Sequence, residues 1–196
     1  MLGDGIEPSA DANGAYSPGQ AVRVGRLLEA HGYDHLEEPS PCWELDNIGY
    51  VAQMLDIPIG AGEHECSLEL IRRMIAERLV DVIQPDVCYI GGMTRARRVA
   101  EMDTAGMPCT PHGSNRSLVQ VFTAHLVTAM PACVQFQEWS IEEQSAVENV
   151  RQPVPKVEDG FIELDDSPGW GVEILPSFLE RATRRASTLA DGPRRP

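Results

Sequence analysis

Positive charge is scarce in this chain of 196 residues, because Lys and Arg together number 16 against 30 Asp and Glu. The resulting net charge of −14 would repel nucleic-acid phosphates and an anionic membrane surface, so neither partner is expected. Long hydrophobic runs are also lacking, and no stretch approaches the roughly 18–20 apolar residues that span a bilayer. These absences favour a soluble, acidic enzyme.

Paired cysteines and nucleotide-binding loops are missing as well. The five cysteines form no C-x-x-C pair, which indicates reduced thiols in the cytoplasm. The first ten residues carry neither the basic nor the apolar segment of a secretion signal. Gly91 and Gly92 precede a predicted helix, but they lack the G-x-G-x-x-G and P-loop spacings, so a bound nucleotide is not expected.

The chain does contain a ladder of acidic and imidazole side chains at nearly constant intervals. Its members are separated by 26, 26, 23, 26 and 26 residues: Asp11, Glu37, Glu63, Asp86, His112 and Glu138. An interval of this length holds about one strand, one helix and two short loops, which is the repeating unit of a (β/α) barrel. The strand ends of such a barrel meet at one rim, so these six side chains are expected to converge there.

Hydrophobic spacing between the ladder residues predicts alternating helices and strands. The predicted helices cover residues 19–31, 46–55, 67–79, 94–105 and 117–130. The first two predicted strands lead into Asp11 and Glu37, and the others cover 57–63, 81–86, 108–112 and 133–139. After residue 139 the pattern changes to a polar, proline-interrupted segment, a hairpin-rich piece near 161–172 and an amphipathic helix over 177–190.

We therefore expect an α/β fold, with a TIM-type (β/α) barrel over residues 1–139 and a C-terminal tail over residues 140–196. A complete barrel of eight units usually needs about 250 residues. The first ladder residue, however, stands only eleven positions from the start. The first βα unit is therefore expected to be missing in front of Asp11, which leaves the barrel incomplete.

Three ladder carboxylates from successive strands predict a metal site. Neighbouring strands lie about 4.8 Å apart, so Asp11, Glu37 and Glu63 can close on one ion. Carboxylate oxygens are hard ligands, which makes Mg²⁺ the natural candidate. Glu38 competes with Glu37 for this role, because side chains alternate along a strand and only one of the two is expected to point into the barrel mouth. Equal spacing favours Glu37.

Asp86 and His112 end the next two strands and predict a proton-transfer pair, in which the carboxylate holds the imidazole tautomer and raises its basicity. His64 is a candidate for substrate contact, with an ordinary loop histidine as the alternative. Glu138 is a candidate hydrogen-bond partner of substrate or of His112, with an ordinary strand-end carboxylate as the alternative. The other histidines are expected to be structural: His31, His35 and His125.

These motifs resemble the barrel portion of the enolase superfamily, in its mandelate racemase and muconate lactonizing enzyme branch. The resemblance covers roughly residues 10–139 and is carried by Asp11-Ala12-Asn13, Glu37-Glu38-Pro39, Gly62-Glu63, Gln84-Pro85-Asp86 with Gly91-Gly92, and Pro111-His112. Within the branch, the segments around Glu63-His64 and His112-Gly113 are most similar to acid-sugar dehydratases. The lysine-bearing first strand and the N-terminal capping domain of the family have no counterpart in this sequence.

The resemblance implies a role for each candidate residue. The implied roles are Mg²⁺ ligation by Asp11, Glu37 and Glu63, acid or base catalysis by His112 with Asp86, and substrate contact by Asn13, His64 and Glu138. The implied reaction removes the proton α to the carboxylate of a sugar acid, after which a β-hydroxyl leaves.

The resemblance also implies a homo-oligomer for a full-length protein. Two alternatives stay open: a racemase or epimerase of a 2-hydroxy acid, and a catalytically inert barrel fragment. Low or absent activity is expected for this exact chain.

Overall fold

The computed structural model describes residues 5–102, 106–114, 116–133, 136–140 and 150–184. Contacts within the chain divide it into two units, Met1–Glu143 and Gln144–Pro196. The domain boundary expected after residue 139 stays a prediction.

The first unit is built on a parallel sheet of four short strands in sequential order. They are β1 (Ala10–Asp11), β2 (Leu36–Glu37), β3 (Ile59–Ala61) and β4 (Val82–Ile83). The register pairs Asp11 with Glu37, and Glu37 with Gly60. Because neighbouring strands run in the same direction, their carboxyl ends meet at one edge, which we call the rim.

Five helices follow these strands, and each lies where the hydrophobic spacing predicts one. They are α1 (Pro18–Ala30), α2 (Leu45–Met54), α3 (Leu68–Ala76), α4 (Met93–Glu101) and α5 (Leu118–Ala129). Ser67 is the N-cap of α3 and accepts a hydrogen bond from the backbone N–H of Leu70 at 3.4 Å, which satisfies one free donor of the helix. Helix α4 ends before the predicted residue 105, and residues 103–105 lie outside the described part of the chain.

The helices bury one apolar face against the sheet, which is the core of the first unit. Ile48 and Val51 of α2 and Ile71 of α3 are at most 1% exposed, as is Ile59 of β3. Burying a side chain of this size contributes about 1.5–3 kcal/mol. The core therefore fixes the strand ends at the rim.

The strand predicted over residues 108–112 forms only as isolated bridges. Cys109 bridges to Ile83 and His112 bridges to Asp86, both in parallel orientation. Pro108 and Pro111 interrupt the segment, and proline has no backbone N–H to donate to a neighbouring strand. The prediction of a continuous strand is therefore wrong, although the chain still runs beside β4.

The strand predicted over 133–139 is also absent from the residues that the structure describes there, 133 and 136–139, while residues 134 and 135 lie outside that part. The backbone N–H of Cys109 nevertheless donates to Ala132 at 3.0 Å, so this segment passes beside the bridged one. Each proline in segment 108–112 removes a backbone N–H that regular pairing between two strands would need.

The second unit contains two antiparallel strand pairs. β5 (Arg151–Gln152) pairs with β8 (Glu173–Ile174), and β6 (Val157–Glu158) pairs with β7 (Phe161–Ile162). Asp159 and Gly160 form the two-residue turn between β6 and β7 with φ values of 51° and 81°, as a tight hairpin requires. This hairpin spans residues 157–162, so it overlaps the hairpin-rich piece expected near 161–172 only at β7.

The helix predicted over 177–190 is wrong in its described portion, because α6 (Pro176–Leu179) ends after one turn. No residue of α6 is buried, and a helix this short is not stable without a packed face. Residues 185–190 lie outside the described part of the chain. Among the helices that the structure describes, none has the length and apolar character needed to cross a membrane.

Candidate functional site

The ladder residues gather at the rim and respond to each other's charge. The charge of Glu37 acts on Asp11, Glu63 and Glu138, and the charge of His112 acts on the same three carboxylates. Carboxylates that affect each other in this way share one region of space. The convergence expected from the spacing is therefore present at the rim.

His112 and Asp86 form the best-defined contact of the site. Nδ1 of His112 lies 2.8 Å from Oδ2 of Asp86, and both side chains are buried. Asp86 is held in turn, because its Oδ1 accepts the backbone N–H groups of Cys88 at 2.6 Å and Tyr89 at 2.8 Å. The carboxylate therefore fixes the imidazole with Nε2 directed away from Asp86.

The electrostatics of this pair favour a protonated imidazole. Burial alone would lower the pKa of His112, but the hydrogen bond to Asp86 and the charges of Glu63 and Glu138 raise it to about 9. The pKa of Asp86 stays below its usual value, because its hydrogen bonds outweigh the effect of burial. The pair can hold a proton at Nε2 and release it to a group in the rim.

Glu63 lies between two imidazoles, two residues beyond the end of β3. Its Oε2 is 3.4 Å from Nε2 of His112, and its Oε1 is 3.4 Å from Nδ1 of His64. Burial, together with repulsion from Glu38 and Glu37, raises the pKa of Glu63 to about 7. This carboxylate is thus held among other negative charges.

Asp11 ends β1 and is bound by Asn13. The backbone N–H of Asn13 donates to Oδ1 of Asp11 at 2.8 Å, and its side-chain amide donates to Oδ2. Burial raises the pKa of Asp11 in spite of these bonds. Asn13 therefore orients Asp11 in this structure, and its substrate contact stays a prediction.

Glu37 and Glu38 both act on the charge of Glu63, so the choice of Glu37 over Glu38 stays a prediction. The strand ends at Glu37, and Glu38 has a φ of 38°, in the left-handed region. The alternation of side chains holds only along extended backbone, so this residue breaks it. Glu38 is 2% exposed. The charges of Glu38 and Glu37 both raise the pKa of Glu63.

His64 is held by Glu38 and by an aromatic ring. Its Nδ1 lies 2.9 Å from Oε1 and 3.1 Å from Oε2 of Glu38, and its ring stacks on Tyr89 with centroids 5.9 Å apart. The hydrogen bond with Glu38 raises the pKa of His64. The side chain is still 41% exposed, which leaves it open to a bound molecule.

Glu138 lies at the rim and contacts the backbone of Gly113. The N–H of Gly113 donates to Oε2 of Glu138 at 2.7 Å, and burial raises the pKa of this carboxyl group. A Cβ at position 113 would lie 2.8 Å from the carbonyl oxygen of Glu138, so only glycine allows this approach. Glu138 thus faces the loop that follows His112.

The structure also brings in residues that the spacing missed. One of them is His35, which was expected to be structural. Its Nε2 lies 3.9 Å from Oε2 of Glu37, and its ring stacks on Phe136 with centroids 5.6 Å apart. Gln84 is buried and hydrogen-bonds Glu37. These bonds keep the pKa of Glu37 low although burial raises it. His35 stands two residues before Glu37, on the same strand face, and that period was the available signal.

The comparison with known proteins agrees with this geometry. Residues 1–178 match the family model described as enolase C-terminal domain-like. An arabinonate dehydratase from Saccharolobus solfataricus is 25% identical over 181 residues, which cover 92% of this chain and 48% of that protein.

Two solved structures extend the comparison. A provisionally assigned racemase from Roseobacter denitrificans is 44% identical with a TM-score of 0.89, covering 93% of this chain and 51% of that one. An enolase from Pantoea ananatis, solved with bound D-gluconate and magnesium, is 24% identical with a TM-score of 0.82, covering 95% of this chain and 45% of that one. At that identity the second likeness shows the fold alone.

The chain spans about half the length of these relatives. The family model, in contrast, covers most of this chain, and the parallel sheet with its helices is the barrel architecture expected from the ladder. The chain therefore belongs to the enolase C-terminal domain-like family and forms an incomplete (β/α) barrel of the enolase superfamily.

Proposed function

We propose that this chain carries the catalytic rim of a Mg²⁺-dependent enzyme that removes the proton α to the carboxylate of a sugar acid and then expels a β-hydroxyl group. The observation that carries the proposal is the Asp86–His112 pair, whose Nε2 lies 3.4 Å from Glu63 within a group of carboxylates. The names of the relatives, which include dehydratases of arabinonate and xylonate, support a sugar acid as the substrate.

The rim suits a hard divalent cation. Asp11, Glu37 and Glu63 supply carboxylate oxygens from three successive strand ends, and the charge of Glu37 acts on both of the others. Burial, and then repulsion from Glu38 and Glu37, raises the pKa of Glu63 to about 7. Bound Mg²⁺ would offset that repulsion and stabilise the negative charge that develops on the substrate carboxylate.

His112 has the geometry to move the proton in both steps. In its neutral form, Nε2 accepts the α-proton, and the buried carboxylate of Asp86 stabilises the imidazolium that results. The imidazolium then donates the same proton to the β-hydroxyl oxygen, which leaves as water when the Cβ–O bond breaks. Glu138 and His64 flank the rim and are the groups that would orient the substrate hydroxyls.

Racemisation is the second candidate, because the relative with 44% identity is provisionally assigned as a racemase. Inversion at the α-carbon needs a proton donor and a proton acceptor on opposite faces of the substrate, whereas dehydration on one face needs a single imidazole. The Asp86–His112 pair supplies one such imidazole at the described rim, which is the reason for placing dehydration first.

The test is an NMR assay of a panel of sugar acids with the chain and Mg²⁺ in D₂O. Dehydration predicts loss of the α-proton signal together with a 2-keto-3-deoxy product. His112→Asn should abolish both changes, and Asp86→Asn should slow both. The matched control is His31→Asn, because His31 is an exposed C-cap residue of α1.

The possible outcomes separate the candidates. Deuterium exchange with stereoinversion and no keto product would contradict dehydration and support the racemase. No exchange with any acid of the panel would contradict both reactions for this exact chain, match the low or absent activity expected from its sequence, and support the inert fragment. Activity that survives in His112→Asn would remove His112 from the mechanism.

A further inference from the structure

A buried glutamine, Gln84, connects two strands of the parallel sheet that are not neighbours. It follows the end of β4, and its backbone N–H donates to the carbonyl of Ala61 in β3 at 3.0 Å. Gln84 is 3% exposed, and its side chain hydrogen-bonds the carboxylate of Glu37 at the end of β2. An ionised carboxylate can only accept, so the amide Nε2 of Gln84 is the donor.

This bond crosses the intervening strand β3 at Gly60, the register partner of Glu37. Strands two positions apart are separated by about 10 Å, so the side chains of Gln84 and Glu37 meet over the middle strand. A Cβ on Gly60 would lie 2.1 Å from Oε1 and 2.9 Å from Cδ of Gln84. Gly60 has no positive φ, so its backbone conformation does not require glycine. The space that the Gln84 amide occupies does require it.

Packing alone does not explain a glutamine at position 84. Its Oε1 is buried without a hydrogen-bond partner among the residues that the structure describes. Burying an unpaired polar oxygen opposes folding, and an apolar side chain of similar length, such as Met, would avoid that cost. The bond to Glu37 is what the amide provides and a Met side chain cannot.

A neutral donor suits a carboxylate that binds a cation. Lys or Arg at position 84 would also hold Glu37, but its positive charge would repel Mg²⁺. An amide restrains the carboxylate and leaves its negative charge for the ion. Carboxylates that bind metals are commonly restrained by such hydrogen bonds.

We propose that Gln84 is a positioning residue for Glu37, which it reaches across the gap at Gly60 and holds in the orientation that binds Mg²⁺. The inference rests on the proposed function, because Gln84 acts only through Glu37. His35 contacts Glu37 from its own strand at 3.9 Å, so removal of Gln84 should weaken Mg²⁺ binding rather than abolish it.

Mg²⁺ affinity and thermal stability, measured on the same variants, test this role without an activity assay. Gln84→Met removes the donor and keeps a long side chain. Its Kd for Mg²⁺, measured by isothermal titration calorimetry, should rise about 10–100-fold, the loss typical of a residue that supports a metal ligand. Its melting temperature without metal should equal or exceed that of wild type, because the unpaired oxygen is gone. A residue with only a packing role would leave the Kd unchanged.

The matched control is Gln120→Met. Gln120 of α5 is 1% exposed, and its Nε2 is likewise buried without a partner in the described part of the chain. This variant should bind Mg²⁺ as wild type does, so it separates the loss of a buried amide from the loss of the bond to Glu37.

Gly60→Ala tests the gap itself. Its Cβ would displace the Gln84 amide, so Mg²⁺ binding should weaken by a similar factor. In a Gln84→Ala background the same substitution should cause no further loss, because the group that it displaces is already absent. This pair of comparisons decides the matter if Gln84→Met does not fold.

Four results would overturn the inference. An unchanged Kd in folded Gln84→Met or in Gly60→Ala, while wild type binds Mg²⁺, would do so and leave the proposed function in place. Equal losses in Gln84→Met and Gln120→Met would show a general effect of core substitution. A further loss from Gly60→Ala in the Gln84→Ala background would show that Gly60 acts independently of Gln84. If wild type binds no Mg²⁺ at millimolar concentration, the metal site of the proposed function fails, and the role of Gln84 fails with it.

Discussion

Each imidazole described at the rim is paired with carboxylates, and this pairing sets how the site holds protons. His35, His64 and His112 all have a raised pKa because of a neighbouring Asp or Glu. Glu63 has a raised pKa for the opposite reason, because burial and other carboxylates disfavour its charge. With a pKa of about 7, Glu63 takes up and releases a proton near neutral pH, whereas His112 keeps its proton up to about pH 9.

Asp86→Asn tests this pairing at its best-defined contact. Loss of the carboxylate charge weakens the hydrogen bond that contributes most to stabilising the imidazolium. The pKa of His112 should therefore fall from about 9 by about one to two pH units. NMR titration of the His112 ring protons measures this change. The titration of His35, which contacts Asp34 and Glu37 instead, should not move.

The same substitution predicts a change in stability with a definite sign. A histidine whose folded pKa is raised stabilises the fold below its unfolded pKa of about 6.5, and this contribution is lost as the pH rises to about 9. Wild type should therefore lose stability over that window, and Asp86→Asn should lose less of it. Equal slopes in urea unfolding from pH 6.5 to 9 would show that Asp86 does not set the charge of His112.

At the scale of elements, the helices could be predicted from the sequence and the strands only in outline. Apolar spacing and a capping serine are local signals, and α1, α3 and α5 begin within two residues of their predicted starts. Strand length depends on the neighbouring strand, which a local pattern does not contain. Pro108 and Pro111 show this, because they leave two bridges where an uninterrupted strand was expected.

The same limit applies to the candidate site. The ladder predicted which strand ends converge, because the period of a βα unit determines it. It did not predict the backbone conformation of Glu38, because the left-handed φ of 38° occurs with bonds to Gly14 and Gly60 from other parts of the chain. It also missed His35, because the ladder follows residues one βα unit apart, whereas His35 stands only two residues before Glu37.

Two glycines of α1 test how tightly the elements pack. A Cβ on Gly25 would lie 2.2 Å from Cδ1 of Leu55, whereas one on Gly19 would meet only Arg23, at 3.8 Å. Gly25→Ala should destabilise the protein by about 1–3 kcal/mol, because overpacking exceeds the gain in helix propensity. Gly19→Ala should be neutral or stabilise by up to about 1 kcal/mol. Urea unfolding measures both, and equal stability of the two variants would contradict the packing described.

At the scale of the whole molecule, folding concentrates part of an already large negative charge. The chain carries a net charge of −14, and six of its carboxylates lie at one rim. Bringing like charges together opposes folding, and active sites commonly accept such a cost in stability. A cation bound at the rim, as proposed, would therefore offset part of this cost and stabilise the first unit.

Glu63→Gln should separate stability from metal binding. An acid whose folded pKa is raised to about 7 does not oppose folding below its unfolded pKa of 4.5, and its cost grows as the pH rises to about 7 and stays above it. At pH 8 without metal, Glu63→Gln should therefore melt at a higher temperature than wild type.

With Mg²⁺ at 100 times its Kd, the free energy of unfolding of wild type should increase by about 2.7 kcal/mol, which raises its melting temperature by roughly 5–10 °C. The variant should gain almost no stability from Mg²⁺. Calorimetry of both proteins, with the exposed-residue variant Glu69→Gln as control, measures these shifts. A lower melting temperature for metal-free Glu63→Gln, or equal Mg²⁺ shifts in both proteins, would show that Glu63 neither strains the fold nor holds the ion.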